Sequence, residues 1–197
     1  MNDTYQIVIG GIFKSIQGEG INAGRSTAFI RLAFCNMEPR CYFCDEQFDQ
    51  FETMHLNDIH KAMAELEPFD MVVLTGGEPT CQNIQILFDF LKTRYTYVCI
   101  ETNGLLDIST KFDWITCSPK TEKIGLHHAD EVKFIVDRNE KEMLQYIDNI
   151  SGQMYANYFL LQPKNNDKEM IDICLRLISN DPKLRLSLQQ HKLIRVR

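Results

Sequence analysis

The stretch "CNMEPRCYFC" (35–44) sets Cys35, Cys41 and Cys44 in a C-x5-C-x2-C pattern, three thiols within ten positions. Thiolates are soft donors that hold zinc or iron–sulfur clusters. A structural zinc site usually closes with four ligands, whereas a catalytic metal site keeps a position open. No fourth cysteine or histidine follows closely here. A [4Fe–4S] cluster on three cysteines would leave one iron for another ligand. Zinc is the rival, with a fourth ligand brought in by the fold from His55, His60, His127, His128 or His191. Three unrelated thiols are the bland alternative.

A second candidate is "LTGGEP" (74–79), where an apolar run meets two glycines. Glycines at a strand end let a ligand approach backbone amides; a plain turn stopped by Pro79 is the competing reading. "ETNG" (101–104) and "CSPK" (117–120) also follow apolar runs. Ligands in parallel sheets bind at the carboxyl ends of strands, so the three segments are expected at one end of a sheet.

The elements that must position these residues alternate in type. Strand-like runs lie at 5–9, 27–34, 71–75, 95–101, 112–118, 131–136, 158–162 and 184–189. Several are continuously apolar, as parallel strands buried on both faces are. Helical periodicity marks 55–66, with Leu56, Ile59, Met63 and Leu66 on one face and Asn57 or Asp58 available as a cap. Further helices are expected at 83–94, 139–149 and 167–179. Strand–helix alternation implies right-handed crossovers and a parallel sheet. Helices are missing after several strands, and a full eightfold barrel takes about 250 residues. The expected fold is α/β, an incomplete parallel β/α barrel, with residues 1–197 as a single domain.

Composition bounds the rest. Of 197 residues, 44% are hydrophobic and 24% charged, which suits a globular core. A net charge of -6 without a basic stripe argues against nucleic-acid binding. No apolar run approaches the roughly 20 residues of a membrane span, and no secretory leader is legible, so a cytoplasmic protein is expected. Seven cysteines at irregular spacing make a poor disulfide framework. Cys81, Cys99, Cys117 and Cys174 read as small buried hydrophobes.

Taken in order, "IFKSIQGEG" (12–20), "GRSTAFIRLAFCN" (24–36), "CYFCD" (41–45), "LTGGEP", "ETNG", "SPK" (118–120), "EVKFIV" (131–136), "LQPK" (161–164) and "RLSLQQHK" (185–192) resemble the 7-carboxy-7-deazaguanine synthase family of the radical S-adenosylmethionine superfamily. The resemblance covers nearly the whole chain. It implies a lyase that converts 6-carboxy-5,6,7,8-tetrahydropterin to 7-carboxy-7-deazaguanine with loss of ammonia, in queuosine or other 7-deazapurine biosynthesis. A 5'-deoxyadenosyl radical takes a substrate hydrogen, and ring contraction follows. The open iron's ligand would then be S-adenosylmethionine itself.

The resemblance also implies residue roles. Cys35, Cys41 and Cys44 would hold the cluster. Gly77, Glu78, Ser118, Pro119, Lys120, Gln162, Pro163, Lys164 and Asn165 would line S-adenosylmethionine. Ile16, Gln17, Gly18, Glu19, Arg31, Thr75, His191 and the terminal carboxylate of Arg197 would contact the pterin. Arg31 lies in an apolar run, and a buried arginine needs an anion: the pterin carboxylate, held bidentate, or an internal carboxylate. For His191 the alternative is a satisfied core histidine. A flavodoxin- or ferredoxin-like electron donor and a homodimer are further implications.

Two departures stand out. The superfamily gap is usually C-x3-C-x2-C, here lengthened by "NMEPR". The family usually reads "CDT", its threonine helping to hold Mg²⁺, whereas this chain reads "CDEQF" with Glu46 in that place. Glutamate is a hard oxygen donor able to bind Mg²⁺, but it could instead repel the substrate carboxylate or point to solvent. Two other readings use the same thiols: a radical activase acting on a protein partner, and a zinc-stabilised binding module. The activase has no need of "QGEG" and "QHK".

Overall fold

The apolar runs become strands, most of them buried on both faces. The computed structural model describes residues 3–44 and 46–196. The chain divides into two units, Met1–Ser15 with Arg25–Thr102 and Ile108–Trp114, and Ile16–Gly24 with Asn103–Asp107 and Ile115–Arg197.

The first unit holds β1 (Thr4–Ile16), β2 (Ser26–Leu32), β3 (Phe51–His55), β4 (Met71–Gly76) and β5 (Val98–Thr102). Its strand order is β3-β1-β2-β4-β5. β2 pairs parallel with β4, and β4 with β5; β1 and β3 are antiparallel. Ala28, Ile30 and Leu32 of β2 and Val72 and Leu74 of β4 are fully buried. Helix α1 (Leu56–Ala64) buries Ile59 and Met63 as the periodicity predicts. Its N-cap, however, is His55 with no side-chain hydrogen bond. Asn57 and Asp58 fall inside the first turn, past the position from which a side chain caps. Helix α2 (Ile84–Lys92) is capped by Asn83 and buries Leu87, Phe88 and Leu91.

The second unit holds β6 (Trp114–Cys117), β7 (His128–Val136), β8 (Tyr155–Pro163) and β9 (Leu184–Leu186), in that order and all parallel. Helices α3 (Glu140–Ser151) and α4 (Lys168–Asn180) make the crossovers. Both start on side-chain caps: Asn139 accepts from the Glu142 N–H at 3.0 Å, and Asp167 from the Glu169 N–H at 2.9 Å. A short α5 (Gln190–Ile194) closes the described chain. The links 103–113 and 118–127 contain no helix, which accounts for the shortfall in length against a full barrel. Among the described residues no helix is long and apolar enough to cross a membrane.

The expected strands and helices all form, with shifted ends. β1 runs 13 residues, well past Ile9, because Gly10 turns at a φ of 65° without ending the strand. β3 was not expected: it is a short edge strand with no buried residue, and its two apolar residues, Phe51 and Met54, fall on opposite faces, so it carries no apolar periodicity. The five-residue α5 buries no side chain and likewise lacks one. Cys99, Cys117 and Cys174 are buried, but Cys81 is exposed at the end of a single 3-10 turn, Pro79–Cys81. There the chain has left the sheet, so an apolar neighbourhood in sequence is not one in space.

The β2–β4 register ends with Leu32 opposite Gly76. Gly76 has a φ of 146°, and a Cβ there would stand 2.0 Å from the Leu32 carbonyl oxygen. Gly76→Ala should therefore lose about 2 kcal/mol or more, through both strain and the backbone clash. Gly24→Ala is the control: φ is 90° but no atom lies within 4 Å. Urea midpoints of the two variants separate the effects, and Gly76→Ala should be clearly the worse.

Candidate active site

In the first unit the cysteine loop leaves β2 beside the end of β4. None of the described residues in 33–50 lies in a helix or strand, so the loop is held by side contacts. The Gly77 N–H donates to the Leu32 carbonyl (3.1 Å) and the Glu78 N–H to that of Phe34 (2.7 Å). A Cβ on Gly77 would come within 1.9 Å of the Phe34 oxygen. The Gln82 amide donates to the carbonyls of Ala33 (3.2 Å) and Gln6 (2.9 Å). The glycines thus admit the chain's own backbone.

The Cys44 N–H donates to the Cys41 carbonyl at 3.0 Å, a turn that folds the C-x-x-C pair back on itself. Burial pushes the Cys35 thiol up, and the nearby charges of Glu78, Cys41 and Cys44 push it the same way. The neighbouring Cys44 and Asp49 hold the Arg40 guanidinium above its ordinary value. Among the described residues no three His, Cys, Asp or Glu side chains are gathered tightly enough to hold a metal ion as they stand. The donor chemistry fits an iron–sulfur cluster nonetheless: three soft sulfurs on one loop, close enough for Cys35 to feel the other two.

Glu78 is 1% exposed. Its carboxylate accepts from the Thr80 N–H (3.2 Å), the Thr80 hydroxyl (2.7 Å) and the Thr102 hydroxyl (2.8 Å). It therefore ties the loop to the end of β5. Arg31 and Thr75 are register partners on adjacent parallel strands, and register partners point to the same face of a sheet. The Thr75 hydroxyl donates to Glu101 at 3.1 Å, which continues a polar row at the carboxyl ends of β2, β4 and β5. Below it the same face is apolar, with Phe29, Val73 and Cys99 in one cluster and Phe13 packed on it. The Arg31 guanidinium lies 5.8 Å from the Phe13 ring centroid and forms an ion pair with Glu46. Of the partners the sequence leaves open, Arg31 holds an internal one here, and Glu46 is turned onto Arg31 rather than left without contact.

In the second unit "QGEG" forms a turn in which the Gly24 N–H donates to the Gln17 carbonyl (2.7 Å) and the Glu19 N–H to the Gln17 side chain (3.2 Å). His191 packs on it: a Cβ on Gly18 would stand 2.1 Å from the His191 Nδ1. The Gln190 N–H donates to the Gly18 carbonyl at 2.8 Å. Ile16 is half-buried at the start of the turn. Glu19 pairs with the buried Lys133 ammonium and accepts from Gln189 at 2.8 Å. Burial alone would raise the Glu19 carboxyl, but Lys133 and the hydrogen bonds of Lys133, Gln189 and Gln162 outweigh it and hold it at about 2. Gln162 accepts from Ser187 at 3.2 Å, and Ser187 accepts from the Gly20 N–H at 2.9 Å. Glu131 accepts from the Ile21 N–H (2.7 Å) and the Thr116 hydroxyl (2.9 Å).

"SPK" follows β6 and "QPKN" ends β8, at the same end of these parallel strands. Lys120 donates to Ser118 at 2.7 Å, and Ser118 to the Lys133 carbonyl at 3.2 Å. Pro119 and Pro163 are buried, Lys164 is half-buried and Asn165 is exposed. Asn165 has a φ of 54° and accepts from Lys192 at 2.8 Å. Arg197 lies outside the described residues, as does Asp45. Sequence reasoning passed over Glu101, Glu131, Lys133, Ser187 and Gln189. For Lys133 a signal was present, a charge inside the apolar run "EVKFIV", the same feature that singles out Arg31.

No family model matches the chain. It is 38% identical over 192 residues to the 7-carboxy-7-deazaguanine synthase of Bacteroides thetaiotaomicron, covering 96% of this chain and 98% of the relative. The chain belongs to the 7-carboxy-7-deazaguanine synthase family. A second member, from Haemophilus influenzae, is 34% identical and covers 93% of this chain and 90% of its own. The crystal structure of QueE from Escherichia coli superposes with a TM-score of 0.78 at 24% identity, covering 96% of each chain. That likeness bears out the expected fold, an incomplete β/α barrel. Family membership sets aside the activase and the zinc module.

The Glu19–Lys133 pair yields a stability prediction. Glu19 sits at about 2 against an ordinary 4.5, so its contribution is complete above pH 4.5 and fades as pH falls from there through 2. Glu19→Gln leaves a buried ammonium without its partner and should cost about 3–5 kcal/mol at pH 7. The variant should also lose less stability than the native chain between pH 4.5 and pH 2. Glu19→Gln/Lys133→Met should recover most of the loss at pH 7 in urea denaturation.

Proposed function

We propose that this family member converts 6-carboxy-5,6,7,8-tetrahydropterin to 7-carboxy-7-deazaguanine with release of ammonia, using a [4Fe–4S] cluster and S-adenosylmethionine. The observation that carries the reading is the near full-length likeness to the synthases, joined to three thiols on one loop braced by the "GGEP" turn. Cys35, Cys41 and Cys44 would hold the cluster and leave one iron to S-adenosylmethionine. When bound, cluster and cosubstrate supply a 5'-deoxyadenosyl radical; the protein's part is to hold, orient and shield.

That part falls to the residues described above. In the first unit, Gly77 and the loop kept in shape by Glu78 would present backbone to S-adenosylmethionine. Arg31 would take the pterin carboxylate through its planar fork, with Thr75 beside it, and Mg²⁺ with Glu46 as a ligand would share that charge. In the second unit, Ser118, Pro119, Lys120, Gln162, Pro163, Lys164 and Asn165 would line the cosubstrate. Ile16, Gln17, Gly18, Glu19 and His191 would meet the pterin, and the Arg197 carboxylate would accept from its amidine-like edge. Glu19 stays ionised at neutral pH because Lys133 holds its pKa low, so it acts as a hydrogen-bond acceptor and not as an acid. We further propose that residues 1–197 act as one catalytic domain in a cytoplasmic homodimer, reduced by a flavodoxin- or ferredoxin-like donor.

The test is anaerobic turnover of the tetrahydropterin with reductant and S-adenosylmethionine, read by mass spectrometry. The native chain should be brown, contain iron and sulfide, and yield the deazaguanine acid. Cys41→Ala should lose iron and fail to cleave S-adenosylmethionine. Native iron content with full turnover in that variant would overturn the cluster assignment.

A further inference from the structure

The Arg31–Glu46 pair has a consequence for ligand selection, resting on the reading that Arg31 is the anchor of the substrate carboxylate. We propose that Glu46 is an internal stand-in for that carboxylate, occupying the Arg31 guanidinium before substrate arrives and competing with it. Three observations carry this. Glu46 and Arg31 form an ion pair, with side-chain exposures of 35% and 17%. Arg31 is fixed on β2 beside Thr75 and against the Phe13 ring, whereas Glu46 sits on the cysteine loop, outside any regular element. Of the two, Glu46 is the one not held in a strand and the more exposed. Finally, the Thr75 hydroxyl is directed to Glu101, so a further carboxylate already faces this row.

An incoming carboxylate must displace Glu46 from Arg31 or share the guanidinium with it. Either way two like charges meet at a partly buried cation, and like-charge juxtaposition costs several kcal/mol. A divalent cation between the two carboxylates removes that repulsion. Glu46 thus couples the two ligands: the protein takes a carboxylated pterin well only together with the metal. A threonine at the same position would carry no charge to compete. Glu46 is in this sense a specificity-determining residue, acting by repulsion as well as attraction.

The experiment is anaerobic fluorescence titration of the cluster-loaded protein with two stable pterins, 6-carboxypterin and 6-hydroxymethylpterin, in chelator and in Mg²⁺. In chelator, Glu46→Gln should bind 6-carboxypterin at least about tenfold more tightly than the native chain. Its affinity for 6-hydroxymethylpterin should be unchanged. Mg²⁺ should tighten 6-carboxypterin binding to the native chain more than to Glu46→Gln. Glu46→Asp, which keeps the charge, should stay close to the native behaviour. Equal affinity of native and Glu46→Gln protein for 6-carboxypterin in chelator would overturn the competition, as would an equal gain for both pterins. If Arg31→Lys leaves the affinity for 6-carboxypterin unaltered while both pterins bind, the anchor assignment fails and the stand-in with it. If neither pterin binds native or variant protein, the pterin reading of the chain itself is overturned.

Discussion

The first unit turns on how closely β4 can lie against the end of β2. Two glycines in succession let the β4 exit run flush along Leu32, Phe34 and Cys35, with no side chain between the backbones. The hydrogen bonds from Gly77 and Glu78 to Leu32 and Phe34 then fix where the cysteine loop begins. This matters because none of the loop's described residues lies in a helix or strand that could place its thiols. Gln82 and the buried Glu78 carboxylate complete the bracing from the other side of the turn. A glycine pair that reads as a ligand cradle thus acts first as a joint between two segments of the chain.

Charge is handled differently in the two units. In the second, Lys133 is buried and Glu19 largely so, and they are matched to each other, with Gln189 and Gln162 filling remaining hydrogen-bonding capacity. Such a pair is costly to break on one side only, which makes the "QGEG" turn a rigid feature. In the first unit Glu46, the partner of Arg31, is about one-third exposed (35%) and sits on a loop. Water screens such a pair, so its opening costs less. The Glu19–Lys133 pair keeps a carboxylate ionised, and the looser one has the character that the proposed exchange of anions requires.

Much of this was legible in the residues alone. Continuous apolar runs located β2, β4, β5, β7 and β8, because a strand buried on both faces has no polar side to break the pattern. The three thiols, the glycine pair and the ordered motifs pointed to the family on their own, and the relatives bear that out. What stayed hidden follows from the same physics. β3 is an edge strand whose Phe51 and Met54 lie on opposite faces, and α5 buries no side chain, so neither had an apolar face to announce it. Cys81 looked apolar by its neighbours in sequence, yet it ends exposed because the chain turns out of the sheet there.

The tertiary structure alone decided which charges meet. Sequence established that Arg31 needed an anion, since no arginine in an apolar strand is stable without one, and it left Glu46 with several possible roles. Only the fold brings Glu46 back onto Arg31, 15 positions along the chain, and Lys133 onto Glu19, 114 positions away. Spacing along a chain fixes neighbours within a helix or strand, through periods of 3.6 and 2. It says nothing about partners joined through loops and sheet register, and those are the partners that set the charge of this site.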